Sequence, residues 1–144
     1  MAATVTHWGA EQVYIGRDPV QLVFEVAPAI GDASEDIVLR AMPDDVTYLW
    51  AQIQTITAEA GATSSVLGLK HGTTAIFTGS ADNGGTLNTI DIGDASSGVF
   101  LPATADTAGA TQGNLVAATT IVGTTTTAPK WRVIVCCMRK NVPT

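Results

Sequence analysis

The chain has 144 residues, 13 acidic and 7 basic side chains, and a net charge of −6 at neutral pH. Charged residues make up 14% of it, against roughly 25% in ordinary soluble domains, so hydroxyl and amide side chains must form much of the surface. Such an acidic, charge-poor chain is not expected to bind nucleic acid, because neutralising phosphates requires clustered Lys and Arg. No run approaches the roughly 18 apolar residues of a membrane span, so no membrane partner is expected.

The first 19 residues are predicted to form an extended N-terminal arm, and residues 20–144 a single domain. Trp8 and Tyr14 stand among polar residues in the arm, which ends at the turn signal "GRDP". The arm has neither the basic region nor the apolar run of a secretory signal. Because chain ends are usually ordered only where something holds them, we expect the arm to bind its own domain or a neighbouring molecule.

Nine stretches after the arm have the composition or the alternation of β-strands. They are "VQLVFEV" (20–26), "DIVLRAM" (36–42), "VTYLWAQIQTITAE" (46–59), "SSVLGLKHG" (64–72), "TTAIFTG" (73–79), "TLNTIDIG" (86–93), "SGVFLPA" (97–103), "LVAATTIVGTTTT" (115–127) and "KWRVIVCCMRK" (130–140). A helix competes for 46–59, but its apolar positions do not keep a 3.6-residue period, which favours a strand. Simple alternation puts Tyr48 and Trp50 on one face of that strand, and Leu49 and Ala51 on the other.

Turn residues separate the predicted strands. The Asn-Gly and Gly-Gly pairs of "SADNGG" (80–85) supply the positive φ of a tight turn, and "TADTAGATQGN" (104–114) is a polar loop. The last two strands are expected to form a hairpin that turns near Ala128 and Pro129. Eight or nine short strands without a helix predict an all-β fold, an antiparallel β-sandwich or jelly roll of about eight short strands.

The last predicted strand, 130–140, is apolar on both faces. Trp131 and Val135 share one face, and Ile134 and Met138 share the other. A strand with one solvated face would alternate more cleanly. We therefore expect this strand to be covered on both sides, by the arm or by a neighbouring subunit.

The only two cysteines of the chain, Cys136 and Cys137, are neighbours in this strand. Neighbouring strand residues point to opposite faces, so the two thiols are badly placed to form a disulfide with each other. We expect two small buried apolar side chains, in a protein that folds in a reducing cytosol.

Positive charge is concentrated in the last part of the sequence. Residues 1–106 hold all thirteen acids and three bases, whereas residues 107–144 hold four bases and no acid. The basic segment is expected either to pair with the acidic first part of its own domain, which is the commoner situation, or to contact an acidic protein surface. The candidate partner-contact residues are Trp8, Tyr14, Lys130, Arg132, Arg139 and Lys140.

Side chains suited to catalysis or metal binding are few and scattered. The sequence has no nucleophile elbow, P-loop, dinucleotide-binding or HExxH motif, and His7 in the arm and His71 in a predicted turn are not spaced as zinc ligands. An acidic loop lacks the EF-hand spacing for calcium, which favours a solvated loop; its acids are Asp32, Glu35, Asp36, Asp44 and Asp45. We predict no enzyme, no metal and no cofactor. The enzymatic alternative is a hydrolase that uses His71 with an aspartate.

Residues 40–140 contain, in order, the strand region "DDVTYLWAQIQTITAEAGATSSVLGLKHGTTAIFTG", a Gly/Asp-rich turn, the small-residue loop "TADTAGATQGN", a threonine-rich strand and the final "KWRVIVCCMRK". This order resembles that of small head-decoration (cement) proteins and related minor virion proteins of tailed bacteriophages. The resemblance implies a jelly-roll or β-sandwich fold and binding to the major capsid protein on the outer capsid surface, where such proteins bridge capsomers. It also implies a homo-oligomer, with a trimer favoured. No functional residue is carried over from it.

On this interpretation the protein assembles in the host cytoplasm and then belongs to the virion, at the capsid surface. The alternative is a phage tail or head-fibre module that contacts a host glycan or receptor. That alternative predicts a solvent-facing aromatic patch that includes Trp8, Trp50 or Trp131.

Overall fold

The computed structural model describes residues 3–9, 12–31, 34–43, 46–79, 82–88, 90–94 and 113–139. Within these ranges the chain forms nine β-strands and no helix. The strands are β1 (Thr4–His7), β2 (Val20–Ala27), β3 (Asp36–Ala41), β4 (Val46–Thr57), β5 (Ala60–His71), β6 (Thr74–Phe77), β7 (Ile90–Asp94), β8 (Asn114–Thr127) and β9 (Lys130–Arg139).

The strands form two sheets that pack against each other. Sheet A has five strands in the order β1-β2-β9-β4-β7, and sheet B has four in the order β3-β8-β5-β6. All the strand pairs are antiparallel. The predicted all-β fold with an antiparallel β-sandwich is therefore confirmed.

The core lies between the two sheets and is made by alternate residues of their strands. Its largest fully buried side chains come from both layers: Leu22, Phe24, Tyr48, Ile53 and Trp131 from sheet A, and Leu67, Leu69, Ile76 and Leu115 from sheet B. Burying an apolar side chain of this size contributes roughly 1.5–3 kcal/mol each. Inward-facing hydrophobic residues thus hold the two layers together.

The predicted hairpin between the last two strands is wrong. β8 pairs with β3 and β5 in sheet B, whereas β9 pairs with β2 and β4 in sheet A. Ala128 and Pro129 therefore carry the chain from one sheet to the other. Residues 58–59 make the same kind of crossing between β4 and β5. A short link with turn residues serves a hairpin and a corner between sheets equally well, so the pattern alone does not separate them.

A β-bulge in β4 overturns the predicted simple alternation of its side chains. Tyr48 lies opposite Cys137 and Trp50 lies opposite Cys136, so that Leu49 is an extra residue in the ladder. Tyr48 is buried in the core, but the next inward residue is Ala51 rather than Trp50. Trp50 consequently lies on the outer side of the sheet.

The starts of two strands, β5 and β7, differ from the prediction by four residues. β5 is a 12-residue strand that begins at Ala60, four residues before the predicted start. β7 begins at Ile90, because residues 86–88 still belong to the preceding turn. The predicted strand "SGVFLPA" (97–103) and most of the predicted loop 104–114 lie outside the described residues.

The N-terminal segment is held by its own domain where it is described. β1 pairs with β2 at the edge of sheet A, and Ile15 is buried in the core. His7 connects the two layers, because its Nε2 lies 2.8 Å from the carbonyl oxygen of Leu39 in sheet B, and its ring packs edge-on against Phe24. The segment thus lies beside β2 and extends sheet A by one strand.

The fold predicts a large difference between inward and outward substitutions. Phe24→Ala removes a fully buried ring and should lower the free energy of unfolding by about 3–5 kcal/mol. Val38→Ala, at a side chain that is 54% exposed on sheet B, should change it by less than about 1 kcal/mol. Urea unfolding of the two variants measures the difference, and equal stabilities would contradict the assigned core.

Candidate functional site

The outer face of sheet A carries one of the sequence-predicted contact residues, Arg132, together with exposed apolar side chains. It consists of the strand residues that alternate with the core: Gln21, Val23 and Glu25 of β2, Arg132, Ile134 and Cys136 of β9, Trp50, Gln52 and Gln54 of β4, and Ile90 and Ile92 of β7. Hydrophobic and amide side chains outnumber charges on it. We call this set the outer face of sheet A.

A row of the outer face of sheet A runs across four neighbouring strands through Val23, Ile134, Gln52 and Ile92. Val23 and Ile134 are half-buried, while Ile92 is 62% exposed on β7. Ile90, also on β7, is 51% exposed. Alternation within β7 places these two isoleucines on one face, but their exposure depends on the place of β7 in the sheet order, which sequence patterns do not reveal.

Glu25 joins two of the predicted basic contact residues into an ion cluster. The carboxylate oxygens of Glu25 lie 3.1 Å from Arg132 Nη2 and 3.4 Å from Lys130 Nζ. The Glu25 side chain is almost fully covered, whereas the two basic side chains are about 42% and 41% exposed. Antiparallel pairing explains the contact, because Glu25 lies directly opposite Arg132.

The pKa of Glu25 is lowered by this cluster. Burial of the carboxyl group by itself raises the pKa, but the hydrogen bonds from Arg132 and then Lys130, together with their positive charges, outweigh that effect. Glu25 is therefore a carboxylate at neutral pH. For Lys130 and Arg132 the structure shows the intramolecular alternative, in which the basic segment pairs with the acidic first part of the domain.

The other predicted contact residues lie elsewhere. Arg139 is half-buried at the far end of β9, where its backbone N–H donates a hydrogen bond of 2.7 Å to the carbonyl of Gly16. Tyr14 is 74% exposed two residues before that contact. Trp8 is 59% exposed just after β1, and its backbone N–H donates to the carbonyl of Val23. The predicted set therefore occupies both ends of sheet A and one of its edges.

Lys140, the remaining predicted contact residue, lies outside the described residues. Trp8 and Tyr14 lie at different elements: the backbone N–H of Trp8 donates to Val23 in the middle of β2, and Tyr14 precedes the turn before β2. Sequence reasoning selected both by residue type, and both side chains are exposed.

His71 and Tyr48 form a buried polar pair between the two sheets. His71 was predicted to lie in a turn, but it is the last residue of β5 and its side chain is buried. The Tyr48 hydroxyl lies 2.7 Å from His71 Nδ1, and the rings meet edge-on. A Cβ atom on Gly113 would lie 2.5 Å from His71 Nε2, so a glycine is needed there. The contact between His71 and Tyr48 therefore links the two sheets.

Both cysteines are free thiols and buried, as predicted. Cys137 faces the core opposite Tyr48, and Cys136 lies on the outer face of sheet A opposite Trp50. Burial raises the pKa of the Cys137 thiol to about 12, with a smaller contribution from Cys136, and burial also raises the pKa of Cys136. Protonated, covered thiols of this kind react poorly.

The acidic loop uses its described carboxylates for local contacts. Glu35 accepts a hydrogen bond from the backbone N–H of Ala29, and Asp36 forms an ion pair with Lys70 at 3.3 Å. The other acids of the predicted loop, Asp32, Asp44 and Asp45, lie outside the described residues. In the part of the chain that the structure describes, no three His, Cys, Asp or Glu side chains are grouped to hold a metal ion.

Comparisons with protein-family models, with curated proteins and with solved structures found no significant match to this chain. Among the described residues, no helix is long and apolar enough to span a membrane.

Alkaline pH should unfold the protein through its buried acids. Burial raises the pKa of Tyr48 and of Cys137, so the folded state keeps protons that the unfolded state loses, and stability falls as pH rises above about 9. In a Tyr14→Phe protein, Tyr48 is the one remaining tyrosine, and tyrosinate absorbance should appear only together with the loss of the β-sheet circular dichroism signal. Tyrosinate that forms in the folded protein would contradict this assignment.

Acid should weaken the Glu25 cluster. Because the folded pKa of Glu25 is below its usual value of 4.5, its contribution to stability is present above that pH and is lost as pH falls through the folded pKa. Glu25→Gln should therefore be less stable than the wild type at neutral pH and lose less stability between about pH 5 and pH 3. Asp18→Asn changes an exposed carboxylate and is the control. Urea unfolding of the wild type and both variants between about pH 5 and pH 3 measures the difference. A Glu25→Gln curve parallel to the wild type would show that the cluster contributes nothing.

Proposed function

We propose that this chain is a structural virion protein that binds the outer surface of a tailed-phage capsid and stabilises it by bridging capsomers. The proposal follows from the resemblance between the segment order of this chain and that of capsid decoration proteins. The observation that carries it is the outer face of sheet A, where exposed isoleucines adjoin a half-buried apolar row.

The order of the strands supports a jelly roll as the form of this sandwich. Among β2 to β9, the first strand pairs with the last, β3 pairs with β8, β4 with β7, and β5 with β6. Nested pairs of this kind, divided between two four-stranded layers, are what a long antiparallel hairpin forms when it is wrapped into two sheets. Jelly rolls are frequent in viral capsid proteins, but also in lectins, so the fold alone does not select a function.

The side chains on the outer face of sheet A favour contact with another protein over exposure to solvent. The N-terminal segment pairs beside β2 at the edge of sheet A. Ile134 and Met138 belong to β9, between β2 and β4, and are half-buried. Ile90 and Ile92 continue the apolar character to β7. Edge strands with exposed apolar side chains are a surface on which another chain can pack or pair, and a capsid-binding protein can use it.

The contact with the capsid should be mainly apolar. Lys130 and Arg132 already neutralise Glu25, so they contribute less to an acidic partner than free cations would. Exposed ion pairs are screened over about 8 Å at physiological ionic strength. Binding that depends weakly on salt would therefore fit the outer face of sheet A as the contact.

Many identical copies would supply the stabilisation. Each contact need only be weak, because a homo-oligomer, with a trimer favoured, engages several capsomers at once and the contacts reinforce one another. A structural role of this kind requires no catalytic group, in keeping with the use of His71 as a contact between the sheets.

A phage tail or head-fibre module that contacts a host glycan or receptor is the second candidate. Trp8, which is 59% exposed, favours it, since exposed indoles stack on sugar rings. Trp131 does not contribute, because it is fully buried, and Trp50 is half-buried. This candidate therefore depends on Trp8 and on Tyr14, which is 74% exposed.

The proposal is tested by binding to purified capsids that lack the chain. Ile92→Lys places a charge on the outer face of sheet A and should weaken capsid binding by about tenfold or more without changing stability, because the side chain is exposed. Val38→Lys introduces the same charge at a comparably exposed position of sheet B, 54% against 62%, and is the matched control. Trp8→Ala belongs in the same series, measured also against host-surface polysaccharide.

The copy number in purified particles separates the candidates. On the order of hundreds of chains per particle, counted by mass spectrometry against the major capsid protein, supports the capsid proposal. A handful of copies, with glycan binding lost in Trp8→Ala, supports the fibre module. Absence from particles, or equal capsid binding by Ile92→Lys and the wild type, refutes the proposed capsid contact.

A further inference from the structure

The turn before β7 contains the pair Asn83-Gly84, the one Asn-Gly pair of the chain. In an Asn-Gly pair, the backbone nitrogen of the glycine can attack the side-chain carbonyl carbon of the asparagine, because glycine has no Cβ atom to hinder the approach. The reaction requires both the side-chain amide and the glycine N–H to be free to move. The structure shows how each is held.

The Asn83 side chain is bonded to the backbone of β5. Its Oδ1 accepts a hydrogen bond of 2.8 Å from the N–H of Leu67, and its Nδ2 donates one of 3.1 Å to the carbonyl of the same residue. Asn83 is 1% exposed. The amide thus completes the strand ladder as another strand would, next to the place where Phe77 of β6 pairs with Leu69.

Backbone contacts on both sides hold the rest of the turn. The N–H of Gly84 donates a hydrogen bond of 2.8 Å to the carbonyl of Ser65, and the Thr55 hydroxyl donates to the carbonyl of Asn83. A Cβ atom on Gly84 would lie 2.7 Å from Cζ2 of Trp131 and 2.6 Å from Oγ of Ser65. The peptide nitrogen that would attack is therefore both hydrogen-bonded and packed against the core.

We infer that Asn83 is a site of spontaneous deamidation. The native fold suppresses the reaction, which proceeds only when the turn separates from β5. In the open state the deprotonated nitrogen of Gly84 bonds to Cγ of Asn83, the Cγ–Nδ2 bond breaks, and ammonia leaves. Water then opens the cyclic imide at either carbonyl to give aspartate or isoaspartate. No oxidant or enzyme is required.

The product does not fit back into the native turn. A carboxylate only accepts hydrogen bonds, so the Leu67 carbonyl loses its donor and a negative charge is placed at a buried position. Isoaspartate in addition lengthens the backbone by one carbon within a turn that is packed on Trp131. Each opening of the turn can therefore lead to the permanent loss of the hydrogen bonds between Asn83 and Leu67.

The inference is tested by peptide mapping after incubation of the whole protein at mildly alkaline pH, folded in buffer and unfolded in urea. Deamidation at Asn83 should be at least ~100-fold slower in the folded protein, because the reaction must wait for local opening. Asn114, which precedes a leucine, serves as an internal reference in the same digests. Equal rates at Asn83 in the two states would overturn the inference.

Three variants test the opening of the turn and the fit of its product. Thr55→Val removes the hydroxyl that donates to the carbonyl of Asn83 and should speed deamidation at Asn83. An unchanged rate would show that the reaction proceeds in the closed state, against the inference. Asn83→Asp should be clearly less stable than Asn88→Asp, which makes the same change at an exposed position of the same turn. Equal stability of the two would overturn the claim that the product cannot return to β5.

Discussion

The packing of one face of β9 against sheet B is the constraint on which the rest of the structure depends. Four alternate residues of this central strand, Trp131, Val133, Val135 and Cys137, have no solvent exposure at all. Because the side-chain period of a strand is two, burying them assigns the residues between them to the outer face of sheet A. The same register brings Arg132 opposite Glu25, and so determines where the basic segment finds its counter-charge.

Local patterns predicted the strands well and their partners poorly. β2 and β9 were placed within a residue of their described bounds, because alternation and flanking turn residues are local properties. The bulge at Leu49 was missed, since one extra residue in a ladder leaves composition and length unchanged. The sheet change at Ala128 and Pro129 was missed as well, because it is decided by which distant strands compete for β8 and β9.

The candidate surface was accessible to sequence reasoning only in part. Trp8 and Tyr14 were chosen by residue type and are exposed. The ion pairs of Lys130 and Arg132 with Glu25 join residues over a hundred positions apart and have no local signal. His71 was assigned to a turn because glycine follows it, whereas its burial depends on Tyr48 in the other sheet. Contacts across the sandwich are the part that requires the fold.

The position of β9 also decides when the domain can form. β9 follows every other described strand along the chain, yet it lies between β2 and β4 and pairs with both. Sheet A therefore cannot close during synthesis until β9 has left the ribosome. β2 can pair with β1 before then, but the partner of its other edge is more than a hundred residues away. Such non-local pairing slows folding and leaves two central strands with open edges in the nascent chain, where chaperones or sister chains can reach them.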